Sequence, residues 1–493
     1  MMAGKRLGSI HDVEGDVAVP AYDPAAYGNG IVHLGVGAFH RAHQAVYTDE
    51  AIGQKGGNWR IIGVSLRATD IADALNPQNG FYTVLERDAS GTRGRLIGSI
   101  SRIIAAARDR HASLAALADP DVRVVTLTVT EKAYGIDRTA MQVDLDHPAV
   151  ARDLAAPHTP TGVLGLLTQS LRLRRQAGAP PYTVLCCDNL PDNGALLRAG
   201  VFDFARRIDP GLADWIGAQV AFPSSMVDRI TPASTDATLA DARRLTGCVD
   251  LAAVETEPFS QWVIEDLFTA GRPAWESAGA LFVSDVKPYE AMKLRMLNGA
   301  HSMLAYAGFL SSCKYVRDVM AHPGLRALVE RHLQAAASTL PVLQGIDFNV
   351  YAHDLINRFA NPAIGHETYQ IAMDGTEKLP QRILSPAIEA MREGQDIRPF
   401  AFAVACWMRY CLGRTDSGET YALRDPREAE IRACLESAST ADAITARLHN
   451  LPDLFDQRLV SSNLWCSGVS ERLETMLRSG IAAAISTETS ACK

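Results

Sequence analysis

The chain has 493 residues, enough for two to four domains of ordinary size, so a large core needs no disulfide or metal staple. Its 48 Lys and Arg against 56 Asp and Glu leave a formal charge of −8 with no basic run, which excludes electrostatic binding to nucleic acid or an anionic membrane. Hydrophobic residues at 47%, charged residues at 21% and apolar runs no longer than a strand exclude an extended disordered chain and a membrane span.

Nine cysteines are scattered, apart from the adjacent Cys186 and Cys187, and no C-x-x-C pair exists. That usage predicts reduced thiols. Lys5, Arg6, Asp12, Glu14 and Asp16 interrupt residues 1–19, where a secretory signal needs an apolar core, so a cytoplasmic location is expected.

In chain order, short β-branched runs at Ile31–Leu34, Arg60–Val64, Val122–Leu127 and Tyr182–Cys186 alternate with longer amphipathic stretches. This alternation predicts a parallel sheet wrapped by crossover helices. Beyond Asp285 the character changes, and Pro288–Leu310, Pro323–Ala337, Phe400–Leu412 and Pro426–Glu436 all predict helices. The expected class is therefore α/β, with a sheet domain over residues 1–285 and a mostly α-helical domain over 286–493.

The first strand leads into Gly35-Val36-Gly37-Ala38-Phe39-His40, a G-x-G at the point where a dinucleotide fold lets backbone amides approach a pyrophosphate. The third glycine of the usual fingerprint is missing, and a plain tight turn reads almost as well. Asp70 is the first acid after the second run, 35 positions beyond Gly35, so the first crossover carries an insertion. Asp70 would accept hydrogen bonds from an adenosine ribose, whereas Arg67 could instead receive a 2′-phosphate.

The densest chemistry runs from Lys287 to His301. Pro288 suits a first helical turn. On an α-helix, Glu290, Lys293 and His301 fall within a sector of roughly 80°, with Asn298 about 60° beyond. One face can thus offer a carboxylate, an amine and an imidazole to a pocket. A solvated charged face is the plainer reading, but Leu294, Met296 and Leu297 predict burial, and a buried lysine is costly unless employed. Asp188-Asn189 and Asp228-Arg229 follow apolar runs, where the loops of an open sheet carry ligands or merely cap turns.

Three look-alikes lack their contexts. Tyr289-x-x-x-Lys293 opens the helical C-terminal domain with no matching serine context before it, Gly365-His366-Glu367 lacks the glycine and cysteine pattern of zinc enzymes, and His40 with His43 lacks a third metal ligand.

Gly35 to His43, Leu127-Thr128-Val129-Thr130-Glu131, Cys187-Asp188-Asn189, Met226 to Pro232, Glu257 to Val263 and Met292-Lys293 through His301 occur in one order. Together they resemble the mannitol dehydrogenase family of metal-independent polyol dehydrogenases over nearly the whole chain. The resemblance implies a Rossmann-type N-terminal domain, a helical C-terminal domain and NAD as cofactor, held at Gly35, Gly37, Ala38, Phe39 and Asp70. It also implies Lys293 as acid/base, Asn189 and Asn298 as amides on the reacting oxygen, His301 and Asp228 at the substrate, and Glu290 in proton exchange with solvent. A desolvated lysine beside a cationic nicotinamide is pushed toward neutrality, where it can exchange a proton with a carbonyl or alcohol.

The segment Gln370 to Arg382 looks more like the fructuronate reductase branch than the mannitol 2-dehydrogenase branch, whose members typically carry a basic residue at the position of Gln370. The expected reaction is interconversion of D-fructuronate and D-mannonate, with Arg382 or Lys378 pairing with the carboxylate. The alternatives are oxidation of D-mannitol or another polyol, or a silent sugar- or dinucleotide-binding regulator. The expected partner is a small sugar acid or polyol, with no nucleic acid, membrane or metal, and a monomer suffices.

Overall fold

The computed structural model describes residues 4–490. The chain divides into two compact units, Met1–Lys287 and Pro288–Lys493.

In the first unit the strands are β1 (Asn29–Leu34), β2 (Arg60–Ser65), β3 (Tyr82–Asp88), β4 (Gly91–Ile97), β5 (Ile100–Ala105), β6 (Val124–Leu127), β7 (Ile136–Asp137), β8 (Gln142–Val143), β9 (Thr183–Cys186), β10 (Ser225–Asp228), β11 (Val254–Thr256), β12 (Gln261–Glu265) and β13 (Leu281–Val283). Between them lie helices α1 (Ala38–Ala42), α2 (Gln44–Lys55), α3 (Asp70–Leu75), α4 (Arg110–Ala118), α5 (Pro148–Ala155), α6 (Val163–Gln176), α7 (Asn193–Ile208), α8 (Pro210–Gln219) and α9 (Asp236–Thr246).

Five parallel strands form the central sheet in the order β5-β2-β1-β6-β9. The chain winds outward from β1 through β2 to β5, then returns to β6 beside β1. That reversal is the doubly wound order of a dinucleotide fold. Both faces are covered, so the strands read as near-continuous apolar runs. Val32, Leu34, Val125, Leu127 and Val184 pack with Leu164, Leu167 and Leu171 of α6. Their neighbours Ile31, Val124 and Leu185 point the other way, toward Val46, Ile52, Trp262 and Trp275. β3 and β4 form an antiparallel hairpin joined by β11, while β12 lies between β10 and β13. Neither smaller sheet is predicted from the sequence.

The second unit opens with α10 (Lys287–Met292), which runs into a π-helical turn, Lys293–Asn298, and then α11 (Gly299–Leu310). It continues through α12 (Val316–Ala321), α13 (Pro323–Ser338), α14 (Phe348–Phe359), α15 (Thr368–Ala372) and α16 (Gly375–Leu379). A second π-helical turn, Pro380–Leu384, precedes α17 (Ser385–Arg392), α18 (Arg398–Tyr410), α19 (Glu428–Leu435), α20 (Ala441–His449), α21 (Gln457–Val460) and α22 (Asn463–Ser490). Every residue of α18 from Pro399 to Tyr410 is buried, as expected of a helix apolar on all sides. No helix of the described residues is long and apolar enough to cross a membrane, and their eight cysteines are all free thiols.

Several histidines are folded into these cores. Burial pushes His33 on β1 down to about 3 and His332 on α13 down to about 4. Because the folded value lies below the unfolded one, the unfolded chain takes up the proton first as pH falls. The stability is thus complete above about pH 6.5 and is lost toward pH 4, at up to about 1.4 kcal/mol per pH unit for each group. Urea unfolding of His332→Gln and wild type at pH 7, 5.5 and 4.5 should show the difference moving in the variant's favour by that slope; a constant difference would refute the assignment.

Candidate active site

In the first unit, β1 ends in a turn that only glycine tolerates. Gly35 has φ +96°, and a Cβ there would lie 2.1 Å from the Thr128 carbonyl oxygen. Its N–H donates to Val64 O at 2.9 Å, and its carbonyl accepts from Gly37 N at 2.8 Å and from Thr128 Oγ1 at 2.8 Å. Gly37 caps α1, and a Cβ there would meet no atom within 4 Å. The space beside Gly37 at the start of α1 is therefore open, which fits the close approach of a pyrophosphate to backbone.

His33 braces this turn, a role that sequence reasoning missed. Its Nε2 lies 3.0 Å from the Gly35 carbonyl, which can only accept, so Nε2 carries the proton and Nδ1 accepts from Thr126 Oγ1 at 2.8 Å. His40 stacks on His33 with ring centroids 3.3 Å apart, and burial, then the charge of His33, pushes it well below the usual imidazole range. The signal was a histidine inside an otherwise apolar strand.

Asp70 is exposed and begins α3, five positions after the end of β2. Asn189 is exposed just beyond β9, and Asp228 ends β10 at 6% exposure. The side-chain amide of Asn193 donates to the carbonyls of Asp188 (3.0 Å) and Ser225 (2.8 Å), and its oxygen accepts from Ser225 N at 3.0 Å. The segments carrying Asn189 and Asp228 are thereby stitched together. Asp188 itself accepts from Val129 N, Thr130 N and Tyr134 Oη, at 3.0, 3.1 and 2.5 Å, and so ties the loop after β9 to the loop after β6. Burial nonetheless raises its carboxyl.

In the second unit, Lys293 is 8% exposed at the start of the first π-helical turn, and Glu290, Asn298 and His301 are partly buried. The unbroken α-helix expected from the sequence does not hold through this segment, and the angles read from it change accordingly. Gly299 N–H donates to Leu294 O, five residues back. A π turn accommodates one extra residue, so the helix beyond it is rotated back by about 100°. Asn298 and His301 then join Glu290 and Lys293 in one sector of about 80°, with Asn298 no longer outside it. Tyr289 is committed elsewhere, its hydroxyl donating to Gln344 O at 2.9 Å.

The second π-helical turn packs at Gly299, where a Cβ would lie 2.8 Å from the Arg382 carbonyl oxygen. Arg382 donates from Nη1 to Ser302 Oγ at 3.3 Å, its one side-chain hydrogen bond, and no carboxylate of the described residues lies within 4.0 Å of it. Lys378 is engaged more fully: Nζ donates to Ile371 O at 3.3 Å and to Met373 O, and lies 3.6 Å from Asp374 Oδ2. Burial pushes His301 well below the usual imidazole range, reinforced by His366, Arg358 and Arg382. Burial also lowers Lys378, with the Arg382 charge second. The ring of His301 lies against Phe359 at 4.6 Å and edge-on to His366 at 5.4 Å. Arg358 and Arg382 thus act on His301, and Lys378 acts on His366, with Asp374 beside Lys378. Among the described residues no cluster of His, Cys, Asp and Glu could hold a metal ion.

The first unit matches the model of the mannitol dehydrogenase Rossmann domain over residues 29–277, and the second that of the mannitol dehydrogenase C-terminal domain over 285–477. The chain belongs to the mannitol dehydrogenase family. It is 42% identical over 445 residues to the D-mannonate oxidoreductase of Escherichia coli, covering 89% of this chain and 92% of that one. It is 39% identical over 475 residues to the mannitol 2-dehydrogenase of Aspergillus terreus, 94% of each. The solved structure of Pseudomonas fluorescens mannitol 2-dehydrogenase with NAD and D-mannitol is 35% identical, with a TM-score of 0.79, covering 98% of this chain and 99% of that one. The chain is an NAD-dependent oxidoreductase of this family.

Gly35→Ala should destabilise the first unit by about 1–3 kcal/mol of backbone strain, and by more from the overlap with Thr128. It should also weaken NADH binding, followed by quenching of tryptophan fluorescence. An unchanged melting temperature together with unchanged NADH affinity would refute the role given to this turn.

Proposed function

We propose that the chain interconverts D-fructuronate and D-mannonate, and that Arg382 binds the substrate carboxylate. The observation that carries this reading is the half-buried Arg382, which has no carboxylate of the described residues within 4.0 Å and acts on His301 while Lys378 acts on the adjacent His366. A buried guanidinium is costly without an anion, and its planar fork matches both oxygens of a carboxylate. Lys378, already held by Ile371, Met373 and Asp374, serves as second cation.

NADH, when bound, supplies the hydride that forms the new C–H bond at the keto carbon. The carbonyl electron pair moves onto oxygen, and Lys293 gives that oxygen its proton; in the reverse direction Lys293 takes the proton from the hydroxyl. Asn298, brought into the Lys293 sector by the π turn, donates from its amide to the developing charge, and His301 holds a neighbouring hydroxyl. Glu290 returns the proton to Lys293 from solvent. Asn189 and Asp228, at the carboxyl ends of β9 and β10, keep the oxygen-binding and substrate-binding roles of the family. Gly35, Gly37, Ala38 and Phe39 take the pyrophosphate and Asp70 the adenosine ribose. The free thiols agree with a reducing cytoplasm.

Lys293→Ala should lower turnover by about 100- to 10,000-fold, the usual contribution of a positioned acid/base, while NADH affinity is retained. Stopped-flow turnover near the wild-type rate would remove Lys293 from the reaction. Arg382→Gln should raise KM for D-fructuronate about 10- to 100-fold, the size of a charge-assisted contact, and leave activity on D-fructose unchanged. Equal losses on both substrates would favour a polyol reaction with Arg382 as a packing residue.

A further inference from the structure

Asp228 is the last residue of an edge strand. β10 pairs with β12 on one side and with no strand of the described residues on the other, and Asp228 stands opposite Gln261 in that register. An edge strand leaves one row of backbone groups without sheet partners, so the sheet alone holds its end weakly. Asp228 is nevertheless only 6% exposed. Two buried side chains, one on each side of the contact, tie this strand end to the end of α1.

His43 is the first of them. It stands between α1 and α2 and is fully buried. Its Nε2 lies 2.9 Å from the carbonyl of Gln261, which can only accept, so Nε2 carries the proton, and Nδ1 accepts from Gln44 Nε2 at 3.1 Å. The ring stacks on Phe39 with centroids 5.0 Å apart and meets Trp262 edge-on at 5.6 Å, which leaves it little freedom to turn. The imidazole thus holds the residue that faces Asp228 across the strand pair.

Arg229 crosses in the other direction. Its guanidinium donates from Nη1 to Ala42 O at 2.6 Å, from Nε to Glu257 O at 3.0 Å and from Nη2 to Glu86 Oε1 at 2.6 Å. One carboxylate and two carbonyls therefore engage all three nitrogens of a group that is 6% exposed, as a buried charge requires. Ala42 ends α1, where carbonyls lack intrahelical partners and a cation is favoured. The same short helix begins at Gly37, beside the glycine turn.

We propose that His43 and Arg229 are positioning residues that set Asp228 for the substrate, with the end of α1 as their common anchor. The helix that opens at the dinucleotide turn then also fixes a substrate contact. The inference rests on the reading of Asp228 as that contact.

Steady-state kinetics of the full chain with NADH test it, on D-fructuronate or D-fructose, whichever the wild type reduces with the higher kcat/KM. His43→Leu removes the donor to Gln261 O and should raise KM about 3- to 10-fold, the size of one hydrogen bond, with a smaller fall in kcat. His43→Gln, whose amide can reach the same carbonyl, should recover most of that loss. Arg229→Lys keeps the charge beside Glu86 but gives up the fork; it should raise KM by a similar factor, and it carries the test if His43→Leu does not fold. In a chain already carrying Asp228→Ala, each of these changes should add less than about twofold, because residues that act through Asp228 lose nothing more once it is gone. Losses that multiply in the double variants overturn the proposal, since the two residues would then act on the fold at large. So does a His43→Gln chain no better than His43→Leu. A loss confined to NADH affinity, with KM for the sugar intact, would assign both residues to the dinucleotide turn and also overturn it. If Asp228→Ala itself leaves KM unchanged, the reading of Asp228 fails and the proposal fails with it.

Discussion

A half-buried guanidinium with no carboxylate of the described residues within 4.0 Å, that of Arg382, is the feature on which the reading of the second unit depends. Among the described residues Arg382 donates only to a serine hydroxyl, and burial, His366, Arg358 and Arg382 all press His301 toward its neutral form. Such an arrangement is expensive in a folded protein and persists where a ligand completes it. The two π-helical turns hold it in place: one rotates Asn298 and His301 toward Lys293, the other carries Arg382, and they meet at Gly299, where a side chain would strike the Arg382 carbonyl. π turns are rare and strained relative to an α-helix, and they concentrate where function rewards them.

The first unit solves a different problem, that of keeping a turn open. Gly35 is clasped by Val64, Thr128 and His33, so three segments fix one peptide while the space beside Gly37 stays open. The same logic recurs at the ends of β9 and β10, where Asn193 and Asp188 spend their hydrogen bonds on neighbouring backbone so that Asn189 and Asp228 are held by rigid strands.

Much of this was legible in the amino-acid order. Runs such as Ile31–Leu34 and Tyr182–Cys186 are apolar on both faces because both faces are covered, so β1, β2, β6 and β9 stand out. β5 does not, because Ser101 and Arg102 interrupt it at the sheet edge. The short strands β10 to β13 are too brief for a period to show. Glu290, Lys293, Asn298 and His301 were visible as chemistry, but their common sector was not, since a π turn depends on which carbonyl an amide selects and leaves no spacing signal. In sequence the planar fork of Arg382 favours it over Lys378 as the carboxylate partner, and the carbonyls of Ile371 and Met373 with the Asp374 carboxylate set the two further apart.

The central claim is that Arg382 binds a substrate carboxylate. It is tested most directly by calorimetric titration of the NAD+-loaded protein with D-mannonate and with D-mannitol. D-Mannonate should bind about 10- to 100-fold more tightly, as one charge-assisted contact requires. D-Mannitol binding as tightly as D-mannonate, or more so, would contradict the account.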